Sequence, residues 1–290
     1  MKILVTGAAG QLGRELIHLL EGAGNQVIGI DRNELDFSFP DRVAEDIAQQ
    51  RADWVINCAA YTQVDRAEQE RELAFLISRD SARAVAEGVK SYGGQMLQVS
   101  TDFIFDGSQS TPYKEDDLTN SLGVYGQSKL EGEQAVIQTL PDVVVLRTAW
   151  VYGEYGNNFV KTMLRLASER DELSVVDDQI GTPSWTYDIA RAIQALIAAD
   201  ATGTYHFTNE GIASWYDFAN EAINIAREIG YPVKTKRVSP IPTSDYPTPA
   251  TRPAYSVLSK RKIRSVLDYD IPHWRESLCT MLLQNFCRPD

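Results

Sequence analysis

Apolar residues in the first half of the chain fall into short runs, and the stretches between the runs have helical spacing. Lys2-Ile3-Leu4-Val5-Thr6 is the first run. It stops at Gly7-Ala8-Ala9-Gly10-Gln11-Leu12-Gly13, after which Leu12, Leu16, Leu19 and Leu20 recur on one helical face until Gly22 to Gly24 end the pattern. Gln26 to Ile30 forms a second run and closes on Asp31. The alternation then repeats. A helical stretch from Asp41 to Gln50 leads to Trp54–Ala60, and another from Leu73 to Val89 leads to Gln95–Ser100. A helix from about Tyr125 precedes Val143–Arg147. Short buried strands alternating with helices predict an α/β fold with a parallel, doubly wound sheet. Ligands of such sheets bind at the carboxyl ends of the strands. Ala59-Ala60-Tyr61-Thr62 and Ser100-Thr101-Asp102 fall at those ends.

The rhythm changes after about residue 150. Helical stretches remain at Phe159 to Glu169 and Trp185 to Ala199, with proline- and threonine-rich segments between and after them. Residues 1–150 are therefore expected to form a nucleotide-binding domain, rejoined by parts of 174–200. Residues 151–290 are expected to form mainly a smaller substrate-binding domain. The segment Pro240 to Pro249 holds four prolines, which suits either a flexible linker or an ordered loop closing over a ligand. Arg252, just beyond it, is either an anion contact or an ordinary surface arginine.

Strand, glycine loop, helix, strand and acid form the dinucleotide-binding fingerprint in its G-x-x-G-x-x-G spacing. Gly7, Gly10 and Gly13 divide the work. One permits the tight turn, one lets backbone amides approach a pyrophosphate at a helix N-terminus, and one permits close helix–strand packing. Asp31 is placed to accept from the adenosine ribose hydroxyls, which favours NADH. Arg32 beside it can meet a 2′-phosphate, so NADPH stays open. In the stretch Val124-Tyr125-Gly126-Gln127-Ser128-Lys129, tyrosine and lysine lie one helical turn apart on one face. An ammonium near a phenol lowers the phenol pKa, which suits proton transfer near neutrality. Such a pair arises often by chance, and the glycine loop is what gives it weight.

Composition narrows the partners. A net charge of −12 argues against general binding to nucleic acid or to a membrane surface. Cys58, Cys279 and Cys287 form no Cys-x-x-Cys, which suits a reducing compartment without a disulfide framework. His18, His206 and His273 are isolated and show no metal-ligand spacing. The N-terminal apolar run ends too soon for a signal peptide, and no run is long enough to span a bilayer. A cytoplasmic location is expected.

With these residues in view the chain resembles the extended short-chain dehydrogenase/reductases and, within them, the dTDP-4-dehydrorhamnose reductase family. The resemblance runs through Asn57–Asp65, Ser100–Gly107, Arg147–Gly153, Asn157–Leu164, Asp178–Pro183 and Tyr246–Pro253, besides the glycine loop and the Tyr125–Lys129 pair. It implies a Rossmann-type fold and NAD(P)H-dependent reduction of the 4-keto group of a dTDP-deoxyhexose. It also implies residue roles. Gly10, Gln11 and Leu12 would meet the pyrophosphate, Asp31 the ribose, and Asp36 and Phe37 the adenine region. Ala60, Tyr61 and Thr62 would line the nicotinamide side, where Lys129 holds the ribose and keeps the Tyr125 pKa low. Thr101, Tyr125 and Lys129 would be catalytic, with Thr101, Asp102 and Trp150 on the hexose. A homodimer is compatible with the resemblance. Members with a metal-bridged dimer use carboxylates on the C-terminal side, where this chain has Trp185-Thr186-Tyr187, and no metal is expected. The chain departs from the family at Ser121-Leu122-Gly123, where Pro-Leu-Asn is common, and Gly123 is expected to loosen the approach to Tyr125. Two rivals remain. One is an epimerase or 4,6-dehydratase on the same scaffold, although Phe103 follows Asp102 where dehydratases carry a second acid. The other is a non-catalytic, nucleotide-binding regulatory homologue.

Overall fold

A computed structural model describes residues 1–286; Cys287 lies outside them. Five of the expected runs are strands: β1 (Lys2–Thr6), β2 (Gln26–Ile30), β3 (Trp54–Asn57), β4 (Gln95–Thr101) and β5 (Val144–Thr148). A sixth, Gly203–His206, pairs with β5, and every pairing in this sheet is parallel. The order from one edge is Gly203–His206, β5, β4, β3, β1, β2. The chain winds outward in one direction from β1 to β2 and in the other from β3 onward. The topological switch point, where such sheets bind ligands, therefore lies between β1 and β3.

Both faces of the sheet are covered, which is why its strands read as mostly apolar runs rather than alternating. On one face Ile3, Val5, Ile56, Leu97 and Leu146 pack with α1 (Gln11–Gly22) and with the helix Thr186–Ala198. On the other, Leu4, Val55, Met96 and Val145 pack with α2 (Pro40–Gln50) and the helix Ser81–Tyr92. The chain thus returns to the sheet after residue 174, and the return extends past residue 200, because Gly203–His206 completes the edge beside β5.

The remaining elements build a second apolar cluster, in which Val160, Leu164, Phe218, Ala222, Trp274 and Leu278 meet. It is tied to the first at the glycine turn, where Asn158 Nδ2 donates to Gln11 Oε1 at 3.0 Å. The proline-rich segment is not a linker. Arg237–Ile241 pairs in parallel with Glu172–Val176, and a 3₁₀ turn, Thr243–Asp245, follows it.

The helix expected over Leu73–Val89 is interrupted. Arg71–Phe75 is α-helical, Leu76–Asp80 forms a π-turn, and Ser81–Tyr92 resumes the α-helix. Such bulges recur at functional sites. Here the Ser78 hydroxyl in the bulge accepts the Tyr61 amide at 3.2 Å, which holds the loop after β3.

Candidate functional site

The turn after β1 is shaped by backbone that has no room for a side chain. Gly7 sits at φ +66°, and a Cβ there would stand 2.9 Å from the Ala59 nitrogen at the end of β3. Gly13, in the first turn of α1, packs so closely that its Cβ would stand 2.3 Å from the Gly7 carbonyl oxygen. Gly10 is the N-cap of α1, and no side chain caps that helix. The leading amides of a helix have no intrahelical acceptor, so those of Gln11, Leu12 and Gly13 are the donors an anion needs. The Leu12 side chain is buried in the core, so only its backbone is available to a ligand. A close-packed turn at an uncapped helix N-terminus fits the pyrophosphate of a dinucleotide.

Asp31 follows β2 directly and accepts the Asn33 amide at 2.7 Å; Arg32 beside it is exposed. Asp36 is exposed, and its Oδ1 accepts both the Ser38 amide and the Ser38 hydroxyl, which holds its carboxyl below the usual carboxylate range. The Phe37 ring packs inward beside Leu35 and Val43, and its carbonyl accepts the Ser81 hydroxyl. On the other side of the turn Ala60 is half-buried and Thr62 exposed. Tyr61 is buried and donates its hydroxyl to Glu70 at 2.7 Å. Its phenol is thus engaged away from the turn, leaving its backbone as the part that can line a cofactor.

Thr101 ends β4. Its hydroxyl donates to Asp102 Oδ1 at 3.1 Å and accepts the Phe103 amide at 3.2 Å. Asp102 is 2% exposed, and burial pushes its carboxyl up to about 6. Tyr125 and Lys129 lie one turn apart on the helix Val124–Thr139, and the Tyr125 ring meets Phe103 edge-on at 5.5 Å. Burial pushes the Tyr125 phenol up to about 12, against the hydrogen bond with Thr101. This corrects the expectation that Lys129 keeps the phenol pKa low. The Lys129 ammonium donates to the Val99 carbonyl at 2.7 Å, and burial brings its own pKa down to about 8, opposed by the charge of Glu133. Desolvation therefore sets the direction of the phenol shift, and the expected lowering by the Lys129 charge plays no part in it. The phenol keeps its proton at neutral pH, as a proton donor must.

Trp150 holds φ +47°, rare for a bulky residue. Its ring stacks on Trp215 with centroids 3.6 Å apart. Trp215 Nε1 donates to Gln179, Gln179 donates to Thr243, and Thr243 donates to Asp178. The proline-rich strap is held at its far end as well, where Arg252 grips both carboxylate oxygens of Asp65 at 3.0 and 2.8 Å. Arg252 is thus neither a free anion contact nor a bare surface charge. Gly123 is not loose either. It is extended at φ −145° and caps the Tyr125 helix, with the Glu68 carboxylate accepting the Val124 amide at 2.8 Å.

Several residues that shape the site stand outside the motifs. Thr6 donates to Asn57 at 2.5 Å and Asn57 donates to Gln98 at 2.7 Å, a buried polar ladder across β1, β3 and β4 beneath the turn. Asn57 and Gln98 interrupt apolar strands, and that interruption was a readable signal. Glu68 and Ser78 carried no such signal.

A glycine turn at the switch point of a parallel sheet, with threonine at a strand end and tyrosine and lysine on a neighbouring helix, defines a Rossmann-type member of the extended short-chain dehydrogenase/reductase superfamily. More narrowly, the RmlD substrate binding domain family model matches residues 1–286, and the chain belongs to that family. A dTDP-4-dehydrorhamnose reductase of Burkholderia thailandensis is 41% identical over 95% of this chain and 96% of its own. The crystal structure of a dTDP-4-dehydrorhamnose reductase from Clostridium acetobutylicum superposes with TM-score 0.92 at 42% identity, over 98% of this chain and 100% of that one. The Bacillus anthracis dTDP-4-dehydrorhamnose reductase in complex with NADP also reaches TM-score 0.92, at 37% identity, over 98% of this chain and 99% of that one.

Proposed function

We propose that this protein reduces the 4-keto group of dTDP-4-dehydro-L-rhamnose to give dTDP-L-rhamnose, with NADPH or NADH as reductant. The observation that supports it most directly is that Tyr125 meets Thr101, with the phenol held protonated by burial, while Lys129 one turn on lies near Cys58, whose backbone abuts Gly7 of the glycine turn. Bound reduced nicotinamide supplies hydride to C4. As negative charge develops on the carbonyl oxygen, Tyr125 donates its proton there and Thr101 hydrogen-bonds the same oxygen. The tyrosinate left behind recovers a proton from water, and the Lys129 charge favours it in the meantime. Gly10, Gln11 and Leu12 meet the pyrophosphate, with the free amides at the start of α1 as donors, and Asp31 accepts from the ribose. Asp36, Phe37, Ala60, Tyr61 and Thr62 line the rest of the cofactor. Asp102 and the stacked Trp150 hold the hexose. Residues 1–150, rejoined by parts of 174–200, bind the cofactor, and 151–290 mainly the substrate. Cys58 and Cys279 are free thiols, and no helix among the described residues is long and apolar enough to cross a membrane. A cytoplasmic enzyme fits both.

The test is a coupled assay in which dTDP-glucose is converted to the 4-keto intermediate and cofactor oxidation is followed, with the product identified by mass spectrometry. Oxidation should require the intermediate, and the product should be heavier than the keto sugar by H₂. Conversion without net cofactor consumption would instead indicate an epimerase or dehydratase. Tight cofactor binding with no turnover would indicate a regulatory homologue.

A further inference from the structure

The helix that carries Tyr125 begins without a cap of its own. Gly123 at its N-cap makes no side-chain hydrogen bond, and its first turn holds no acidic residue. Helix N-termini are stabilised by an acceptor for the leading amides and by negative charge. Glu68 supplies both from 56 positions away in the sequence, accepting the Val124 amide at 2.8 Å. The glycine makes room for it: a Cβ on Gly123 would stand 2.7 Å from Glu68 Oε1 and 4.0 Å from the Thr251 carbonyl oxygen of the strap. The same short segment holds the strap, through Asp65 and Arg252, and reaches the next turn of the helix, where Arg71 donates to Gln127 at 3.1 Å. The amide that Glu68 accepts belongs to the residue immediately before Tyr125.

We propose that Glu68 is a positioning residue for proton transfer. By capping the helix in trans, it fixes where the first turn stands and so sets the Tyr125 hydroxyl against Thr101. The departure of this chain at Gly123 is part of the same device, since the missing side chain leaves the space the carboxylate occupies. The inference rests on the reading of Tyr125 as proton donor.

The test measures kcat, KM, NADPH affinity and the solvent isotope effect for Glu68→Ala, Glu68→Gln, Gly123→Ala and Tyr125→Phe. Glu68→Ala should lower kcat by about tenfold to 100-fold, the scale on which misplaced reacting groups cost rate. NADPH affinity should be little changed, and the solvent isotope effect should rise as proton transfer becomes limiting. Glu68→Gln keeps an acceptor oxygen and should recover most of kcat. Gly123→Ala pushes the carboxylate off the amide and should reproduce the Glu68→Ala defect; it decides the matter if Glu68→Ala fails to fold. Wild-type kcat and isotope effect in Glu68→Ala, or in Gly123→Ala, with Tyr125→Phe inactive, would overturn the role of Glu68 alone. Full turnover by Tyr125→Phe would overturn the proton-donor reading beneath it.

Discussion

At the scale of single residues, Tyr125 and Lys129 are governed by burial more than by each other. Burial disfavours the charged form of each, raising the phenol and lowering the ammonium. Tyr125→Phe should therefore leave NADPH binding near wild type while turnover falls by roughly 10²–10⁴, the range for loss of a general acid; cofactor titration beside steady-state kinetics checks both halves. The pH dependence follows from the same values. Lys129 loses its charge as pH rises through about 8, so kcat/KM should decline on the alkaline side well before the phenol titrates near 12. A profile flat to pH 10 would remove Lys129 from the charge balance of the site. The pair itself was legible in the sequence. The direction of the tyrosine shift was not, because desolvation depends on neighbours such as Phe103 that only folding brings over the ring.

At the scale of elements, the turn between β1 and α1 works because two backbones approach where no Cβ fits. Gly7→Ala combines a left-handed φ with a contact to rigid backbone at the end of β3. It should cost on the order of 1–3 kcal/mol of stability and weaken NADPH binding, read by denaturant unfolding and fluorescence titration. Unchanged binding and stability would mean that the turn relaxes at no cost. The glycine spacing was readable because each of these requirements leaves a glycine at a fixed offset. The π-turn at Leu76–Asp80 was not, since Leu73 to Val89 keeps an apolar helical pattern across it.

At the scale of the molecule, the Tyr125 helix is tied to the sheet at β5 through a buried ion pair. Arg147 on β5 grips Glu133 at 2.8 Å, with side chains 8% and 2% exposed, and also donates to the Glu115 carbonyl at 3.1 Å. Removing one partner of such a pair strands the other charge in the interior. Glu133→Gln should therefore destabilise the fold by about 3–5 kcal/mol, measured by denaturant unfolding. A cost below about 1 kcal/mol would mean that Arg147 is satisfied by its carbonyl partner alone. His206 stands 3.3 Å from Arg147, and burial and that positive charge press its pKa down to about 3. Its folded pKa lies below its unfolded one, so the unfolded chain takes up the proton first. Stability should thus fall as pH drops from about 6.5 toward 3, and that slope should shrink in His206→Gln.

The alternation of apolar runs and helical stretches, the glycine turn, Asp31 and the Tyr125–Lys129 pair could all be read from the chain, because each is set by contacts along a few neighbouring residues. Tertiary structure alone decided the rest. Arg252 finds Asp65, Glu68 finds the Val124 amide, and Thr6, Asn57 and Gln98 form one ladder across three strands. Such partners are far apart in sequence, and no local pattern marks them. They are brought together only when the parallel sheet places its strand ends side by side and the strap closes onto the segment that follows β3.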